Sequence, residues 1–123
     1  MYLLLKKYCK QVVPLTDNEL SLIDKYFEPV VIERKDFLLS AGKVCNFIAF
    51  ISKGAVRHFH VKEGIEKTCD FSFENYWVTD FQSFTYNTAS IMNLQAIEDT
   101  SAFTITRKNL HALYEQCSKY ETF

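Results

Sequence analysis

The apolar positions of this chain change their period partway along. Leu5, Tyr8, Cys9 and Val12 recur at helical spacing and the pattern stops at Pro14, which predicts a short amphipathic helix. A second helix is expected directly after it. Thr16 is placed to cap it, Glu19 stands three residues on as the reciprocal partner of a capping box, and Leu15 can staple against Leu20. Leu20, Ile23 and Phe27 form its apolar stripe, and Pro29 stops it. From residue 30 to residue 105 the period becomes two. Runs at 30–32, 37–39, 47–51, 56–61, 68–73, 91–97 and 102–105 are rich in β-branched and aromatic residues and read as strands. Gly42, Gly54 and Gly64 punctuate them, each at a turn signal, and no glycine follows. Leu110, Leu113, Tyr114 and Cys117 then share one side of a last helix.

This order, two helices, about eight strands and one helix, predicts a mainly β protein with flanking helices. Short strands with one apolar face must bury those faces on each other, as in a jelly roll or double-stranded β-helix. The expected domain is the whole chain, 1–123, with helices at about 3–27, a β-roll at about 29–106 and the C-terminal helix at about 107–119.

Composition narrows the function. A net charge of −1 and a sequence pI near 6.3 give none of the basic excess of a nucleic-acid surface. The four cysteines, Cys9, Cys45, Cys69 and Cys117, contain no C-x-x-C pair, which argues against a zinc or iron–sulfur site and for buried thiols in a reduced, cytoplasmic protein. The apolar run near the start is cut by Lys6 and Lys7, so no secretory signal is expected, and nothing approaches the roughly 20 apolar residues of a membrane span. The stretch YWVTDFQSFTYNTAS, residues 76–90, holds no glycine, lysine or arginine. Trp77 and the rings Phe71, Phe73, Tyr76, Phe81, Phe84 and Tyr86 are expected in the core, because a nucleic-acid stacking platform would be interleaved with basic residues.

The segment from Leu38 to Phe81 resembles the cyclic-nucleotide-binding domain of bacterial Crp/Fnr-type transcription regulators. Gly42 is similar to the glycine before the third strand, Ile51-x-x-Gly54-x-Val56 to the I-x-x-G-x-V motif, and Gly64-Ile65-Glu66 to the G-x-E hairpin tip. The resemblance runs from about Leu15 to the last helix. It implies a β-roll flanked by helices, a sensing rather than catalytic role, and no cofactor. It also implies a homodimer in the full-length protein and contact with DNA only through a C-terminal domain absent from this chain. In nucleotide-binding members a Gly-Glu pair binds the ribose, and an arginine about ten residues later neutralises the cyclic phosphate. The matching positions here are Thr79-Asp80 and the strand opening at Ser90-Ile91. The acid is shortened, threonine replaces glycine, and serine replaces arginine. The resemblance therefore implies a degenerate pocket, in which Thr79, Asp80, Phe81, Ser90 and Ile91 contact a small-molecule effector. Arg57 is a candidate to enter the roll as substitute cation, or else a surface residue.

A competing pattern is Gly54-x3-His58-x-His60-x2-Glu63, which resembles the metal motif of cupins, themselves jelly rolls, with shortened spacing. It implies a stand-alone metal-binding protein or enzyme. Glu63 is expected in a turn, pointing away from the histidines, and Glu98-Asp99 reads as a plain turn.

Overall fold

The computed structural model describes residues 2–122. Helix α1 (Leu3–Val12) and helix α2 (Asp17–Tyr26) lead into eight strands: β1 (Glu28–Ile32), β2 (Phe37–Leu39), β3 (Phe47–Lys53), β4 (Val56–Lys62), β5 (Ile65–Ser72), β6 (Trp77–Val78), β7 (Asn93–Ala96) and β8 (Thr100–Thr106). A short helix α3 (Phe81–Tyr86) interrupts them, and helix α4 (Arg107–Gln116) with a 3-10 turn (Ser118–Thr122) completes the described chain. The strands form two four-stranded sheets, ordered β1-β8-β3-β6 and β2-β7-β4-β5, in antiparallel pairs. The predicted β-roll is the fold found.

Three layers explain the sequence pattern. The first sheet is covered on both faces, so β3 alternates between two cores. Phe50 joins Phe103, Ile105, Leu5, Ile23 and Leu113 under the helices, while Ala49 and Ile51 join Val56, Leu94 and Ala96 between the sheets. That double burial is why the run FIAFI, residues 47–51, is apolar throughout and does not alternate. The second sheet turns its other face outward, and its edge strand β5 is exposed for seven of its eight residues. Charges at Glu66, Lys67 and Asp70 along that edge discourage pairing with another chain.

The capping box forms as expected. The Thr16 hydroxyl accepts from the Glu19 amide at 3.2 Å, and Glu19 Oε1 accepts from the Thr16 amide at 2.9 Å. Pro29 lies inside β1; α2 ends two residues earlier, at its C-cap Phe27. Val12 is exposed and leaves the predicted stripe of α1, whereas Leu5 and Cys9 are buried. The strand β6 and the terminal 3-10 turn are additions that the pattern did not show.

Glu19 also fastens the end of the chain. Its Oε1 accepts from Lys119 Nζ at 2.9 Å, its Oε2 from the Cys117 thiol at 3.3 Å, and its backbone oxygen from the Tyr120 hydroxyl at 2.6 Å. The Thr16 amide, then Lys119 and Cys117, hold its carboxyl down from the ordinary value near 4.5 to about 2. A depressed carboxyl contributes stability above its unfolded value and loses it as pH falls through the folded one. The 3-10 turn is therefore expected to loosen between pH 4.5 and 2. In Glu19→Gln, the protection of the amides of residues 118–122, taken relative to the unstructured rate at each pH, should already be low at pH 6 and change little on acidification. Slow exchange at pH 6 in that variant would show that the latch lies elsewhere.

Candidate functional site

The segment after β6 is not a loop. Asp80 caps α3, with its Oδ1 3.5 Å from the Ser83 amide and its carbonyl accepting from the Phe84 amide at 2.9 Å. Asn87 closes the helix in the left-handed region, at φ 56°. Asp80 followed by five residues without glycine or proline is a helix-start signal, hidden by the density of rings and hydroxyls in the same stretch.

Buried hydroxyls tie residues 79–90, hereafter the cassette, to the roll. Ser83 Oγ, fully buried, accepts from the Cys45 amide at 2.8 Å and donates to the Thr88 carbonyl at 2.6 Å. Thr79 Oγ1 donates to the Phe47 carbonyl at 2.9 Å. Ser90, also buried, donates from Oγ to Asp80 Oδ2 and accepts from the Met92 amide at 2.9 Å. Its backbone is fixed from both sides: the Gly42 amide donates to the Ser90 carbonyl at 2.7 Å, and the Ser90 amide donates to the Lys43 carbonyl at 2.8 Å.

The six candidate residues separate into three places. Asp80 and Ile91 line an open polar hollow of about 400 Å³ beside α3, together with Gln82, Ser83, Thr88, Ala89 and Met92. Ser90 closes onto Asp80 behind it. Thr79 and Phe81 line a different cavity, apolar and about 260 Å³, between α4 and the first sheet. Arg57 belongs to neither. Its guanidinium lies 3.9 Å from the Phe59 ring centre and donates to Gln95 Oε1 at 2.8 Å and to Glu66 Oε1 at 3.1 Å, on the outward face of the second sheet. Arg57 does not enter the roll, because its strand neighbour Val56 takes the inward position. No lysine or arginine lines the polar hollow.

A basic residue that the sequence did not single out joins the cassette to the last helix. Arg107, the first residue of α4, donates from Nε to the Phe84 carbonyl at 3.1 Å and from Nη1 to Asn87 Oδ1 at 3.1 Å. A further bond runs from Nη2 to the same carbonyl, and the guanidinium stands 5.0 Å from the Phe84 ring centre. The Phe84 carbonyl is one of the orphaned C-terminal groups of α3, satisfied here by a side chain from another element. Nothing local in the sequence marks this, since the partners lie 20 and 23 residues apart.

The cupin-like arrangement is not favoured. The register shift beside His58 and Phe59 puts its extra residue, Cys69, in β5, so the two histidines keep the alternation of β4 and share a face, but side chains of β5 engage both. His58 Nε2 instead pairs with Ser72 Oγ at 2.7 Å, and burial lowers its pKa although the nearby Asp70 raises it. His60 Nδ1 faces the Cys69 thiol at 3.3 Å, and Glu63 sits in a turn at φ 55°. Among the described residues no three metal-type side chains converge. Two expectations need correction. Cys69 is exposed, unlike the buried Cys9, Cys45 and Cys117. Phe71, Phe73, Tyr76, Phe81 and Tyr86 are exposed, and of the rings in that stretch Trp77 packs against the helical core. Phe71 stacks on Phe73 with centroids 6.4 Å apart, and Tyr76 meets Phe73 edge-on at 5.9 Å, where β5 and the following turn leave no layer to cover them.

The backbone is similar to those of several solved structures. Catabolite Activator Protein from Thermus thermophilus superposes with a TM-score of 0.74 at 20% identity, over 86% of this chain and 50% of that one. The sensor domain of the transcriptional regulator DNR from Pseudomonas aeruginosa gives 0.75 at 15% identity, over 96% and 83%. The regulatory subunit of a cAMP-independent protein kinase A from Trypanosoma brucei gives 0.76 at 17% identity, over 94% and 42%. This chain thus spans half the length of the Thermus protein. No protein-family model matches the sequence, and no curated protein matches it by sequence. The likeness establishes the fold: a cyclic-nucleotide-binding-domain β-roll. Among the described residues no helix is long and apolar enough to cross a membrane.

Proposed function

We propose that this chain is the ligand-sensing domain of a Crp/Fnr-like transcription regulator, without catalytic activity, whose cassette does not use a cyclic phosphate as its signal. The observation that carries the reading is the direct Asp80–Ser90 bond on this fold, at the two positions where the resemblance puts a ribose-binding acid and a phosphate-binding arginine. The carboxylate is satisfied by the protein itself, and the hollow beside it offers an anion no positive partner. The fold occurs in a kinase regulatory subunit described as cAMP-independent, so the architecture does not require that ligand.

The output route follows from Arg107. A ligand that shifts α3 moves the Phe84 carbonyl and Asn87, and through the guanidinium it moves the start of α4. Such a ligand selects between two placements of α4, and in a dimer this sets the spacing of two DNA-reading heads carried by a further domain. The unpaired thiols suit a reducing compartment.

Arg107→Ala should uncouple the two elements. Loss of these bonds is expected to destabilise the α3–α4 contact by about 1–2 kcal/mol, which corresponds to roughly five- to thirtyfold faster amide exchange in residues 84–87 where local opening governs it. Unchanged exchange there would remove Arg107 from the route. The regulator assignment is tested by the coding sequence after residue 123. A helix-turn-helix encoded there supports it, and a stop codon contradicts it.

A further inference from the structure

The cavity between α4 and the first sheet has the features of a binding site independent of the cassette hollow. It is lined from α1, β3, β6, α3, β8, α4 and the 3-10 turn, so every element of the output route borders it. Five aromatic rings, those of Phe27, Trp77, Phe81, Tyr114 and Tyr120, contribute to a wall that contains no charged side chain. Phe81, 74% exposed, stands where the cavity meets solvent. Its 260 Å³ would hold roughly nine waters at their liquid share of about 30 Å³ each, yet few wall groups can bond them. Thr79 Oγ1 already donates to the Phe47 carbonyl and so offers the cavity an acceptor. The buried Cys9 thiol stays neutral, its pKa pushed up to about 12 by burial.

We infer that this cavity binds a neutral, ring-bearing molecule of on the order of ten non-hydrogen atoms, which stacks among the aromatic side chains and donates one hydrogen bond to Thr79. Charged ligands are excluded, because no wall residue can pair them. The molecule would touch the cassette through Thr79 and Phe81 and the last helix through Leu113 and Tyr114, and so would hold the two together. This site stands whether or not the polar hollow takes any ligand.

4-Propylphenol is a suitable probe, having ten non-hydrogen atoms by its formula and being neutral at pH 7 with the phenol pKa of about 10. Trp77 is the single tryptophan and lines the cavity, so its emission, excited beyond the phenol absorption, reports occupancy directly. The expected result is a saturable change with Kd on the order of 10⁻⁴ M, typical of a ligand this small. Intermolecular NOEs from the propyl methyl to Trp77 and Leu113 should appear in the unaltered protein. Leu110→Phe or Ile48→Phe, each adding a ring to the wall, should weaken binding by at least about tenfold while thermal unfolding stays cooperative. Met92→Ala, which alters the polar hollow and not the cavity wall, should leave the affinity within about twofold. Absence of both saturation and NOEs overturns the site, as does wild-type affinity in both folded cavity variants. Loss of binding in Met92→Ala would place the probe in the polar hollow and overturn the site. Failure of the sensor reading would appear separately, in the Arg107→Ala exchange pattern and in the downstream coding sequence.

Discussion

Replacing Gly54 by alanine is expected to destabilise the protein by about 3–5 kcal/mol, the largest effect of any single methyl group in the chain. Two independent costs add at this position. The backbone sits at φ 106°, where a side chain is strained. A β-carbon there would also come within 2.7 Å of the Thr100 α-carbon and 2.8 Å of the Asp99 carbonyl, backbone atoms that cannot swing aside. The site has no slack, because Thr100 is buried and its hydroxyl bonds the Ala55 amide at 3.2 Å, pinning the β3–β4 turn onto the start of β8. Gly64 is the control. It too has positive φ, 77°, but open space surrounds its missing side chain. Gly64→Ala should cost only about 1 kcal/mol. Urea unfolding of the two variants tests this, and equal losses would mean that the turn relaxes around the extra methyl.

The same contrast shows what the sequence could and could not reveal. A period of two, three turns marked by glycine and a capping box at Thr16 specify the roll, because each is a local rule enforced by local sterics. Trp77-Val78 was not readable as a strand, since two residues carry no period. Their pairing with Ala49 and Phe50 is a tertiary fact. The helix at Phe81–Tyr86 was legible in principle from Asp80 as its cap, but its exposed rings imitate a buried strand.

For the site, the resemblance led us to expect the binding segment at residues 79–90, with serine at the arginine position. It did not reveal that Thr79 and Asp80, adjacent in sequence, face different cavities. Nor did it identify Arg107, whose partners come from a separate element. Arg57 shows the converse: its residue type suggested a cation for the pocket, while strand alternation had already assigned it the outer face.

The second large effect concerns cyclic nucleotides. A bidentate arginine on a phosphate makes two charge-assisted bonds, each worth about 1.5–3 kcal/mol, and at 1.4 kcal/mol per tenfold their absence lowers affinity by roughly two to four orders of magnitude. Here Ser90 spends its proton on Asp80, whose carboxylate would face the incoming phosphate, and no basic side chain lines the hollow. Asp80 and Ser90, at the two positions where the resemblance expects nucleotide contacts, bond each other. Titration calorimetry of the folded chain with cyclic AMP and cyclic GMP is the most direct test. The account predicts no binding tighter than about 0.1 mM for either nucleotide, and a micromolar dissociation constant for either would contradict it.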